Sequence, residues 1–113
     1  MTISVTPDKQ SANERGVEAT YLAQIKAILA RVLRGKSCTV YLFGSRAAGA
    51  ATASSDFDIA VLATEDISRE LSIAREMLEE SNIPFKVDLV DLRSASAAFR
   101  QQIPTQGKLL WKS

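Results

Sequence analysis

The 113-residue chain contains no histidine. That excludes His-based zinc sites, Ser-His and Cys-His nucleophile pairs, and imidazole acid–base work. Cysteine is nearly absent too. Cys38 stands alone, so no disulfide closes within the chain, and a reducing compartment is expected. Cys38 itself reads as a small buried apolar residue. Net charge is close to zero, with 14 basic and 13 acidic residues. A global electrostatic pull toward nucleic acid or an anionic membrane is therefore missing, and any polyanion contact must be local. No apolar run approaches the roughly 18 residues of a membrane span. The start, "MTISVTPDKQ", has neither the basic nor the apolar part of a signal peptide. A cytoplasmic protein is expected.

What remains is ordinary for one folded domain, with 46% hydrophobic and 24% charged residues. Residues 1–10 read as a flexible tail and 11–113 as the domain. "SANE" from Ser11 has capping-box spacing. Tyr21, Ile25, Ile28 and Val32 follow at helical spacing, and Gly35 can close that helix. "CTVYLFG" is β-branched and aromatic and reads as a strand. The alanines from Ala47 to Ala51 suit a short helix beginning near Ser45. "DFDIAVLA" is a second strand. A helix carries Ile67, Leu71, Ala74 and Leu78 on one face and is punctuated by Asn82 and Pro84. "PFKVDLVDL" is a third strand. A short helix started by Ser94 follows, broken at Pro104 and Gly107, and "KLLW" can add a final strand. The pattern predicts an α/β domain, a small mixed sheet of three to four strands with helices packed on it. Phe99 and Trp111 read as core packing.

The question the sequence poses lies in "LFGSRAAGAATASSDFDIAVL". Asp56 and Asp58 enter an apolar strand one residue apart. Residues i and i+2 of a strand share a face, about 6.6 Å apart, so the carboxylates project together and repel. A divalent cation is the simplest compensation, and all-oxygen ligation points to Mg²⁺ or Mn²⁺. A plain turn after Ser54 and Ser55 is the alternative for Asp56. Gly44 and Ser45, after one strand and before a helix start, offer backbone N–H groups and a hydroxyl to a phosphate. A third carboxylate, Asp88, comes within reach if its strand pairs with the second. Three carboxylates would then hold two metals with phosphate oxygens completing the shells. Asp91 points to the other face and suits a turn.

"GSRAAGAATASSDFD", with G-S, ten residues and D-x-D, resembles the DNA polymerase beta-like nucleotidyltransferase superfamily. The short chain is similar to its minimal nucleotidyltransferases, single-domain members found beside a small all-helical HEPN-type partner. "FKVDLVDL" resembles the strand carrying the family's third aspartate. The resemblance implies that Gly44 and Ser45 hold a nucleoside triphosphate and that Arg46 contacts phosphate. It implies that Asp56 and Asp58 bind two Mg²⁺ ions and that Asp88 binds one and helps activate the acceptor hydroxyl. The implied reaction moves a nucleoside monophosphate, AMP from ATP, to a hydroxyl such as a tyrosine of the helical partner, in a toxin–antitoxin-like pair. Many minimal members read G-S-R-A-R-G, and here the second basic position is Ala48. That departure keeps a second expectation open: an antitoxin-like binding module that masks its partner with little or no catalysis. Homo- or hetero-oligomers are compatible with either, and direct nucleic-acid binding is not expected.

Overall fold

The segments CTVYLF and DIAVLA are almost continuously apolar, so the sheet they build must be covered on both faces. A computed structural model describes residues 2–49 and 55–113. Four strands, β1 (Cys38–Phe43), β2 (Phe57–Ala63), β3 (Val87–Asp91) and β4 (Lys108–Lys112), form one sheet in the order β3-β2-β1-β4. β1 pairs antiparallel with both β2 and β4, and β2 pairs parallel with β3. The helices are α1 (Thr2–Val32), α2 (Ser45–Ala48), α3 (Ser68–Glu80) and α4 (Ala97–Gln106). A parallel pair needs a long crossover, and α3 supplies it between β2 and β3.

Alternation decides which residues go where. Phe57, Ile59 and Val61 of β2 are fully buried in the larger core, with Ile25 and Leu29 of α1 and Leu71 of α3. Ala60, one residue out of phase, joins Leu92 and Ile103 in a smaller core under α4. There Phe43 meets Phe99 edge-on at 5.5 Å, so Phe99 packs inside the chain. A register shift between Val40 and Tyr41 lets Trp111 pair with Val40 and Leu109 with Tyr41. Leu110 and Trp111 both pack against the larger core as a result, while Leu109 stays 58% exposed.

Three element boundaries differ from expectation. The helix expected from Ser11 begins at Thr2, so residues 2–10 read as a tail are helical in backbone. A capping-box spacing favours a start without forcing one, because Ser and Asn lose only about 0.5 kcal/mol to Ala inside a helix. The cap of α4 is Ser96, whose hydroxyl accepts from Phe99 N–H at 3.2 Å, rather than Ser94. α4 also runs through Pro104 to Gln106 instead of breaking there, with Gly107 N–H bonded to Ile103 O. Burial of Ile103 offsets the bond that the proline cannot make. Ala50 and Ala51 of the short helix expected near Ser45 lie outside the described residues, and α2 ends at Ala48.

Candidate active site

β1 and β2 run antiparallel with Phe43 opposite Asp58, so the chain leaving β1 passes directly beside Asp58. Gly44 makes that turn with φ 75° and ψ −156°, a conformation essentially restricted to glycine. A Cβ at position 44 would collide with Asp58 Oδ2 and lie 3.1 Å from its Cγ. Gly44 therefore serves two needs at once, backbone geometry and room for a carboxylate. Ser45 opens α2 next to it, half-buried. Gly44→Ala is expected to cost about 1–3 kcal/mol from backbone strain alone and to push the Asp58 carboxylate aside. Urea unfolding measures the first effect, and divalent-cation binding by the variant measures the second.

The parallel β2–β3 register sets Asp58 beside Asp88. Phe57 N–H donates to Lys86 O at 2.9 Å, which extends the ladder one step and leaves Lys86 next to Asp56. Asp58 and Asp88 thus stand side by side on the sheet face away from the larger core, with Lys86 beside Asp88 and Asp56 just ahead of β2. Asp56 is exposed; Asp58 and Asp88 are half-buried. Burial raises the Asp58 carboxyl above its ordinary range, and the charges of Asp88 and then Asp56 raise it further, against a smaller lowering by Lys86. The Lys86 ammonium stands 3.6 Å from Asp88 Oδ1. One cation facing three carboxylates leaves a surplus of negative charge.

Asp91 has different work. Its carboxylate accepts from Arg93 N–H at 3.0 Å and, at 3.5 Å, from the Ser94 hydroxyl, which makes it a turn residue after β3.

Arg46, a phosphate contact in the family resemblance, is buried at 9% exposure. Its Nε and Nη2 both donate to Ser55 O, at 3.0 and 2.6 Å. The guanidinium lies 4.1 Å from the Phe57 ring centre and 5.1 Å from that of Phe85, and Nη1 is 3.9 Å from Glu18 of α1. A planar, weakly hydrated cation suits a place beside this pair of rings, and its fork grips the carbonyl just before Asp56. Arg46 braces the approach to β2 and thereby positions Asp56 and Asp58.

The donor set is carboxylate oxygen, which fits a hard divalent cation. Among the described residues no three His, Cys, Asp or Glu side chains stand together closely enough to hold a metal by themselves. That is compatible with Mg²⁺, which commonly takes one or two protein carboxylates and completes its shell with water and substrate phosphate. Asp58 and Asp88 are the pair the fold sets side by side. Sequence reasoning missed Lys86 as the counter-charge. Its signal was present in "KVD", since a lysine two residues before Asp88 must share its face.

The family model for the polymerase beta nucleotidyltransferase domain matches residues 23–113. Over 75 residues the chain is 49% identical to the protein adenylyltransferase MntA of Shewanella oneidensis, covering 64% of this chain and 52% of that protein, so it spans about half of that relative's length. A solved toxin–antitoxin structure with AMP-PNP is similar at TM-score 0.64 and 40% identity, over 80% of this chain and 73% of that one. The structure of a tri-AMPylated Shewanella oneidensis HEPN toxin in complex with its MNT antitoxin is similar at TM-score 0.55 and 35% identity, over 92% of this chain and 73% of that one.

Proposed function

The chain belongs to the polymerase beta nucleotidyltransferase family, and from that premise we propose that it transfers AMP from ATP to a side-chain hydroxyl, a tyrosine, on a small all-helical HEPN-type protein. The observation that carries this reading is the side-by-side register of Asp58 and Asp88, with Asp56 just ahead of β2 and Gly44–Ser45 adjoining. The relatives support the nucleotide and the partner: one is a protein adenylyltransferase, and others are solved with AMP-PNP or with an AMPylated HEPN toxin.

In this reading Gly44 and Ser45 receive the nucleotide's phosphates, and Gly44 allows their close approach because it has no side chain. Asp56, Asp58 and Asp88 would hold Mg²⁺ or Mn²⁺, two ions in full. Bound cations supply neutralisation of the phosphate charge and lower the pKa of a bound hydroxyl. Asp88 accepts the proton of the attacking hydroxyl. The acceptor oxygen bonds to the α-phosphorus, the bond from that phosphorus to the bridging oxygen breaks, and pyrophosphate departs with the electron pair. Positioning and charge compensation carry such a reaction without a covalent enzyme intermediate, so the absence of histidine is no obstacle. Residues 11–113 constitute the working domain, and its place is the cytoplasm.

With Mg²⁺ and a HEPN partner, label from α-labelled ATP is expected to move to the partner, and label from γ-labelled ATP to leave as pyrophosphate. Absence of α-label transfer rejects the reading. The second reading, a masking module with little catalysis, draws on the loop itself: Arg46 is committed to Ser55, and position 48 is alanine. It requires that a chain carrying both Asp56→Asn and Asp58→Asn still neutralise the partner.

A further inference from the structure

The near-zero net charge hides a separation. Residues 19–49 and 92–113 carry lysines and arginines and not one aspartate or glutamate. In residues 55–91 carboxylates far outnumber cations. The strand order β3-β2-β1-β4 turns this into geometry. β2, α3 and β3 make an acidic half, while β1, β4, α4 and the later part of α1 make a basic half. At the free edge of the basic half, where α1 passes β4, lies a hollow of about 390 Å³. Ala23, Ala27 and Ala30 of α1 and Trp111 of β4 line it, with Lys26. The three alanines are exposed, and Trp111 is half-buried against the larger core. Counting by fours along α1, Ala23 and Ala27 lead to Arg31, and Lys26 and Ala30 lead towards Arg34, so cations continue the same face. Among the described residues Lys26, Arg31 and Arg34 take part in no ion pair.

We propose that this edge is a docking surface for an acidic amphipathic helix of another protein, whose apolar stripe fills the hollow beside Trp111 and whose carboxylates meet Lys26, Arg31 and Arg34. The surface lies across the sheet from Asp88, on the opposite edge strand, and its role is independent of AMP transfer. Alanines let a partner's backbone come close, and tryptophan and arginine are the side chains that most often anchor a protein contact. Free cations around an apolar hollow favour a partner that offers carboxylates and an apolar stripe together. Two other occupants fit less well. A nucleic acid needs rings free to stack on bases, and Trp111 is held against the core. A second copy would bring its acidic half to this basic half, a head-to-tail contact that yields an open chain unless its rotation closes a ring.

Trp111 is the chain's single tryptophan, so its fluorescence reads this site directly. The probe is a synthetic amphipathic helix with leucines at three- and four-residue spacing flanked by glutamates, and the control carries lysines in place of the glutamates. The glutamate peptide is expected to shift Trp111 emission to the blue and to bind more weakly as salt is raised. The lysine peptide should bind at least about tenfold more weakly. Two variants separate charge from shape. Lys26→Glu combined with Arg31→Glu reverses the charge, and Ala27→Gln fills the hollow without changing it. Each should weaken the glutamate peptide about tenfold. All three positions lie outside the buried core, and unchanged urea midpoints show that the variants fold. No binding of the glutamate peptide overturns the proposal, and so does equal binding to wild type and both variants. A larger shift with single-stranded RNA than with the peptide overturns it in favour of nucleic acid. Self-association of the wild-type chain in sedimentation, abolished by the charge reversal, overturns it in favour of a second copy.

Discussion

Asp58→Asn should lower AMP transfer roughly 10²- to 10⁴-fold and, in the same protein, raise stability at neutral pH. The first effect follows from removing a cation ligand at the centre of the carboxylate group. The second follows from the repulsion that the group stores. Burial and the neighbouring charges of Asp88 and Asp56 raise the folded-state carboxyl of Asp58 above its ordinary value of 3.8. The folded chain therefore holds that proton more tightly than the unfolded chain does. The resulting stabilisation is full below the unfolded value and is lost as pH rises through the folded one. Without divalent cations, wild-type stability should accordingly fall as pH climbs out of the ordinary carboxylate range. The asparagine variant, a fixed mimic of the protonated form, should lack that contribution. Melting temperatures across pH in the presence of a chelator check both points. A variant less stable than wild type at neutral pH would contradict the account.

Arg46→Ala should be the most damaging change to the fold near the site. The guanidinium makes two hydrogen bonds to Ser55 O and faces two rings, all with little exposure. Charge-assisted bonds and desolvated cation–π contacts together amount to about 3–5 kcal/mol. That is a large share of the roughly 5–15 kcal/mol that holds a domain together. Arg46→Lys should recover only part, since an ammonium cannot supply a planar fork. Urea unfolding distinguishes the roles. A phosphate-binding arginine would leave stability within about 1 kcal/mol of wild type, the range of an exposed side chain, and would raise the KM for ATP instead.

Much of the site was legible because strands have a fixed period. D-F-D must put two carboxylates on one face, and a lysine or aspartate at even spacing in "KVDLV" must face the same way. The apolar run of "DFDIAVLA" gave a central strand, and Gly44 marked the place where one chain passes close to another. The surroundings of Arg46 were not legible because its partners are scattered along the chain. Phe57 and Phe85 are far apart in sequence and converge only through the β2–β3 pairing, so no local pattern around "GSRAAG" announces a buried cation. Boundaries failed for a related reason. "SASAAF" offers two serines with similar capping prospects, and packing of Phe99 against Phe43 selects the one that starts α4. The one-residue shift opposite Val40 and Tyr41 likewise breaks the simple alternation of "KLLW", sending both Leu110 and Trp111 to the larger core.

The account rests on Asp58 and Asp88, from two strands, gripping the same cation in the company of a nucleotide. Mn²⁺ titration followed by electron paramagnetic resonance, with AMP-PNP present, reads that directly. Wild type should bind Mn²⁺, and Asp58→Asn and Asp88→Asn should each weaken it at least about tenfold. Binding of equal strength in wild type and Asp88→Asn would contradict it.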